Sequence, residues 1–176
     1  MKEINKIILT GPAASGKDHL RDYLNGILDL DVSYTTRPKR DGEKDGYTYN
    51  YITEESFDAK VKDNFFYENI EFNRWKYGTS KENWNISELF IMTPSGIKCI
   101  KPSERESCFV VYFNISDEIR RERLSKRSDS DTTERRIIAD NDDFLGFGDY
   151  DYMVTESDYE AKALFSEILK QIIETK

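Results

Sequence analysis

Apolar positions come in short runs that alternate with amphipathic stretches along the whole chain. Residues 4–9 hold the continuous run Ile7-Ile8-Leu9, the pattern of a strand buried on both faces. Residues 17–29 carry Leu20, Tyr23, Leu24, Ile27 and Leu28 on one side and predict a helix, and residues 31–36 predict a second strand. The stretch from Tyr47 to Ile52 alternates apolar and polar positions. Thr53 then predicts the cap of a short helix, with Glu54 and Glu55 in its first turn. Aromatic-rich segments at 65–72 and 74–79 predict two more strands. Further on, the pattern gives a strand at Leu89 to Thr93, a short helix after Pro94 and a strand at Phe109 to Phe113. Ser116 and Asp117 open a basic helix, and the polar turn Ser128 to Asp131 leads into a helix reaching about Leu145. A strand at 151–155 and an amphipathic helix at 157–174 end the chain. Strand–helix alternation predicts an α/β fold with a parallel sheet, interrupted at roughly 33–88 by a lobe of strand–turn–strand character.

A length of 176 residues suits one sizeable core with small excursions. Charged residues make up 34% and hydrophobic residues 38%, as in a water-soluble globular protein. No apolar run approaches the ~20 residues that span a bilayer, so no membrane partner is expected. The first apolar run feeds directly into a glycine turn and reads as a core strand, not a signal peptide. Cys99 and Cys108 are expected to be reduced and buried, which points to the cytoplasm. A net charge of −8 argues against broad nucleic-acid binding. The exception is local: Arg120, Arg121, Arg123, Lys126, Arg127, Arg135 and Arg136 crowd one segment, either as a solvated helix face or as an anion site.

Candidate chemistry sharpens this picture at two places. Gly11-Pro12-Ala13-Ala14-Ser15-Gly16-Lys17 follows the first strand and precedes the first helix. Glycines there let successive N–H groups and a helix N-terminus point at one anion, and Lys17 adds a mobile positive charge. The usual pattern ends in Lys-Ser/Thr, whereas Asp18 follows here, so an ordinary strand–helix turn stays open. The second place is Ser33-Tyr34-Thr35-Thr36-Arg37-Pro38-Lys39-Arg40, where Pro38 keeps the chain extended between two arginines. Guanidinium groups bind phosphate through paired hydrogen bonds, though isolated arginines of this kind are commonly plain surface residues. Two phosphate sites in one chain suggest phosphoryl transfer between two nucleotides. His19 reads as a helix-surface residue, and a mechanism needing histidine would rest on it alone.

The run from Ser33 through Asp41-Gly42-Glu43-Lys44-Asp45-Gly46-Tyr47-Thr48-Tyr49 resembles the GMP-binding lobe of the guanylate kinase family. The resemblance continues through Phe66-Tyr67-Glu68-Asn69, Lys76 to Ser80, Arg123 to Arg127, Arg136-Ile137 and Asp151 to Val154. It implies a P-loop, three-layer α/β fold with a core at 1–32, 89–118 and 137–176, a GMP-binding lobe at 33–88 and a lid at 119–136. ATP would sit on Gly11, Pro12, Ala13, Ala14, Ser15, Gly16, Lys17 and Asp18. Lys17, Arg123, Arg127 and Arg136 would act on the phosphoryl group in flight. Arg37, Arg40, Tyr49 and Tyr77 would hold the GMP phosphate, with Glu43 in the same lobe, and Ser33, Glu68 and Thr79 would face the base. Phosphoryl transfer needs mainly alignment and charge neutralisation.

Two departures stand out. Family members carry Asp-x-Asp where this chain has Ile91-Met92-Thr93; Thr93 can still accept a hydrogen bond from an exocyclic amine, but Ile91 cannot assist a cation. Asp18 is the other, and it is expected to supply the missing carboxylate to Mg²⁺. The implied activity is transfer from ATP to GMP or dGMP, by a monomer or homodimer acting on small nucleotides. A related nucleoside or deoxynucleoside monophosphate kinase with another base preference, or a non-catalytic guanylate-kinase-like interaction module, remain open.

Overall fold

The computed structural model describes residues 3–126 and 133–174. In chain order, β1 (Lys6–Thr10) runs into α1 (Lys17–Leu24), followed by β2 (Tyr34–Thr35), β3 (Asn50–Tyr51), α2 (Glu54–Lys62), β4 (Phe66–Phe72), β5 (Trp75–Ser80) and α3 (Lys81–Ile86). Then come β6 (Leu89–Ile91), α4 (Pro94–Lys98), α5 (Pro102–Arg105), β7 (Cys108–Phe113), α6 (Asp117–Ser125), α7 (Thr133–Asp143), β8 (Tyr152–Val154) and α8 (Ala161–Glu174). The chain divides into two compact units, one of Met1–Asp29 with Glu88–Lys176 and one of Leu30–Ser87.

The first unit is built on a parallel sheet in the order β6-β1-β7-β8. Ile8 of β1 lies between Phe90 of β6 and Val110 of β7, and all three are fully buried. Strands covered on both faces need apolar side chains at every position, which is why β1 and β7 read as unbroken runs. From α8, Leu164, Ile168 and Ile172 are buried. Helix α1 is shorter than the periodicity predicts. Asn25 leaves helical geometry and Gly26 follows with φ +87°, so the helix stops at Leu24. Leu20 and Leu24 are therefore buried, while Ile27, which a longer helix would carry on the same side, is exposed. Cys108 is buried, but Cys99, expected to be buried, is exposed, because it ends the short helix α4 at the surface.

The second unit holds a mixed sheet in the order β3-β2-β5-β4. β2 pairs in parallel with β3 and antiparallel with β5, and β4 and β5 form an antiparallel hairpin. Its turn falls at Asn73 and Arg74, both with positive φ (+47° and +65°), as a tight hairpin turn requires. The strand expected over 31–36 shortens to two residues, in keeping with the polar residues and Pro38 around it. Thr53 caps α2 by accepting from the Ser56 N–H at 3.2 Å. Gly78 packs where any side chain would collide: a Cβ there would stand 2.8 Å from the Phe66 ring.

Candidate functional site

In the first unit, β1 ends at Thr10 and the glycine turn begins. Gly11 has φ +153°, and a Cβ on it would lie 2.8 Å from the Phe113 carbonyl oxygen, so glycine is needed. The Ser15 N–H closes back onto the Pro12 carbonyl at 3.2 Å. Gly16, left-handed at φ +99°, caps α1 without any side-chain hydrogen bond. The start of α1 thereby keeps its N–H groups and partial positive charge for an anion. Lys17 Nζ donates to the Pro12 carbonyl at 3.2 Å, holding its charge over the loop. Asp18 is exposed and stands 3.5 Å from Arg21 Nη1. The Thr10 and Ser15 hydroxyls are buried without a hydrogen-bond partner among the described residues. Orphaned buried hydroxyls are rare, and both lie at the ends of this loop.

Helices α6 and α7 carry the basic cluster. Within the basic segment, read as either a solvated helix face or an anion site, Arg120 is neither. It is 1% exposed and pairs with Asp140 at 2.6 Å and Asp117 at 2.9 Å, so its charge is already balanced within the fold. Arg121 pairs with Glu134 at 2.9 Å on the surface. Arg123 donates to the Ala14 carbonyl at 3.0 Å and to the Ser157 carbonyl, which puts its guanidinium against the glycine turn. Arg136 is buried, and Arg127 lies outside the described residues. Thr93, expected near a base, caps α4 by accepting from the Gly96 N–H at 3.2 Å. Close to it in sequence, Ser95 donates to Asp143 at 3.2 Å, whose other carboxylate oxygen is buried without a partner among the described residues.

In the second unit, Arg37 is 7% exposed and its fork meets Glu43 through two hydrogen bonds, of 3.0 and 2.7 Å. Glu43 also accepts from the Arg40 N–H at 2.8 Å and the Tyr51 hydroxyl at 2.7 Å. Burial alone would raise the Glu43 pKa, but these donors and the Arg37 charge hold it down at about 2. Glu43 is thus a lasting anion that orients Arg37. The Arg37 guanidinium lies 5.5 Å from the Tyr49 ring centre and 5.7 Å from that of Tyr51. The Tyr49 and Tyr77 rings meet at 5.9 Å. Arg37, Arg40, Glu43, Tyr49 and Tyr77 are therefore brought together. Tyr51 belongs with them and was missed, although its two-residue spacing from Tyr49 signals a shared strand face.

A second cluster in this unit joins Ser33, Glu68 and Thr79. The β4–β5 register sets Glu68 opposite Thr79, and the Thr79 N–H donates to Glu68 Oε1 at 3.2 Å. Glu68 is 7% exposed, and its Oε2 is buried without a partner among the described residues. Burial raises its pKa to about 7, with a smaller push from the Asp31 charge and an opposing pull from Thr79. The Ser33 and Thr79 hydroxyls are 3.5 Å apart. Ser33 also donates to Asp31, whose other oxygen accepts from Asn83 at 2.8 Å. Asp31 and Asn83 were missed too. They are 52 residues apart in sequence, and no local spacing links them.

A family model described as guanylate kinase matches residues 3–176. The chain belongs to the guanylate kinase family. It is similar to the guanylate kinase of Helicobacter pylori, with 31% identity over 97% of this chain and 89% of that one. The guanylate kinase of Rickettsia prowazekii is 32% identical, over 99% of this chain and 92% of that one. For that of Legionella pneumophila, strain Paris, identity is 32% over 91% and 82%. Among solved structures, the guanylate kinase of Anaplasma phagocytophilum superposes with a TM-score of 0.74 at 23% identity, covering 97% of this chain and 86% of that one. That likeness bears on the fold, a parallel-sheet core with a second mixed sheet.

Proposed function

We propose that the protein transfers the terminal phosphoryl of ATP to GMP or dGMP, giving ADP and GDP or dGDP. The observation that carries the guanine assignment is Glu68, a buried carboxyl with one oxygen lacking a donor among the described residues. Guanine offers N1–H and a 2-amino group side by side, and an ionised carboxylate accepts both. Adenine has an acceptor at N1 and no 2-amino group, so it would leave the carboxylate buried and unsatisfied. Ser33 and Thr79 would complete the base site within the same unit. Arg37, held in place by Glu43, would bind the acceptor phosphate together with Arg40, Tyr49 and Tyr77.

The turn from Gly11 to Asp18 would take the ATP phosphates, with Lys17, Arg123, Arg127 and Arg136 neutralising the charge of the transferring group. Residues 1–32, 89–118 and 137–176 serve as core, 33–88 as acceptor lobe and 119–136 as lid, whose closure keeps water from accepting the phosphoryl group. No cluster of three His, Cys, Asp or Glu fit to hold a metal occurs among the described residues. Exposed Asp18, beside Lys17, is a hard oxygen donor and would hold Mg²⁺ carried by the nucleotide phosphates. The ion would supply charge neutralisation between the phosphates. We assign the enzyme to the cytoplasm as a monomer or homodimer. The net charge of −8 disfavours a nucleic-acid partner, and no helix among the described residues is long and apolar enough to cross a membrane.

Ile91 and Thr93, standing where the family carries two aspartates, favour a second reading in which base or sugar preference has shifted. A coupled ADP-release assay across nucleoside monophosphates separates the two. Turnover led by GMP or dGMP supports the guanine assignment, and turnover led by another base replaces it. No turnover with any of them, and no ATP binding in a titration, would leave the non-catalytic interaction module.

A further inference from the structure

Ala14 sits in the left-handed region at φ +62°, within the turn proposed to bind ATP. A residue with a Cβ is strained there, so the turn relaxes unless its surroundings restrain it. Three restraints are visible. The Ala14 methyl packs with Leu124 of α6 and Ile137 of α7. Arg123 holds the Ala14 carbonyl at 3.0 Å. The third restraint grips both backbone polar groups of Ala13: Asp140 Oδ2 accepts its N–H at 2.9 Å, and Arg120 Nε donates to its carbonyl at 3.1 Å. Arg120 and Asp140 are themselves joined at 2.6 Å and are 1% and 5% exposed. The remaining Arg120 nitrogen, Nη1, is taken by Asp117 at 2.9 Å and Asn141 at 3.2 Å. All three guanidinium nitrogens thus have protein partners, so Arg120 acts through the turn and not on a nucleotide.

A buried ion pair adds little net stability over a well-packed apolar pair. An apolar pair, however, cannot hold an N–H and a C=O of one residue at once. We propose that Arg120 and Asp140 are positioning residues that clamp Ala13, fix the phosphate turn in its anion-binding shape before nucleotide arrives, and so set the affinity for ATP. This rests on the assignment of that turn to ATP. Since Arg120 lies in α6 and Asp140 in α7, the clamp also ties the turn to the helices carrying Arg123 and Arg136.

ATP and GMP dissociation constants, measured by calorimetric titration without turnover, test the clamp. Asp140→Asn keeps an acceptor for the Ala13 N–H but removes the charge facing Arg120. It is expected to weaken ATP binding about tenfold, with GMP binding unchanged. Because a lone buried charge can unfold the chain, the double variant R120M/D140L is the second arm. It is expected to melt at or above the wild-type temperature and still bind ATP at least tenfold more weakly. Either variant binding ATP like the wild type while folded overturns the clamp and leaves the ATP assignment standing. Equal weakening of GMP binding also overturns it, as a general structural effect. A wild-type protein that does not bind ATP overturns the assignment and the clamp together.

Discussion

Glu68 is a carboxyl group whose fold works against its charge. Burial pushes its pKa to about 7, so near neutrality the free protein holds it partly protonated. Only the ionised form accepts two N–H groups from a guanine edge. Inhibition by guanosine, which has no phosphate titrating nearby, should therefore strengthen as pH rises through about 7. A pH-independent inhibition constant would contradict this. The stability effect has the opposite sign. With the folded pKa above the ordinary carboxyl value of 4.5, the folded state binds the extra proton, so this contribution is complete below about 4.5 and is lost as pH rises through about 7. Glu68→Gln should flatten the urea-midpoint profile across that window while lowering kcat/KM for GMP by at least a hundredfold. Asp18→Ser tests another single residue: Mg²⁺-dependent turnover should fall several-fold, and an unchanged Mg²⁺ dependence would remove Asp18 from the metal's surroundings.

Among the elements, the β4–β5 hairpin carries the most testable packing. Gly78 sits between Tyr77 and Thr79 on β5, and Phe66 blocks the space above it. Phe66 is stacked 4.5 Å from Phe57, itself buried, so it has little room to yield. Gly78→Ala should cost about 1–3 kcal/mol in denaturant unfolding and raise KM for GMP, because the strand that presents Tyr77 and Thr79 must shift. A neutral substitution would mean the ring moves freely. Elements were legible in the sequence where burial dictates composition: β1 and β7 announce themselves as unbroken apolar runs and the hairpin by its aromatic-rich segments. Helix α1 was overextended because its apolar positions continue past Leu24, while Asn25 and Gly26 decide where it ends. Helix α3 went unseen, since only Trp84 is buried in its six residues.

For the whole molecule, the boundary of legibility follows sequence distance. The glycine turn shows in its spacing, and the Arg37–Glu43 pair spans six residues. The Ala13–Asp140 contact spans 127 residues, and the Arg120–Asp140 pair 20, so a charge count alone does not reveal that Arg120 is a buried, paired residue. Long-range partners turn a patch of like charge into a structural clamp, and only the fold reveals them. Sites that hydrogen-bond a specific substrate edge discriminate by roughly 10⁴–10⁵. The most direct measurement is the ratio of kcat/KM for GMP over AMP, with ATP and Mg²⁺ saturating. A carboxylate that reads the guanine edge gives a ratio of at least ~10⁴, collapsing in Glu68→Gln; a wild-type ratio near unity would mean that Glu68 reads no base.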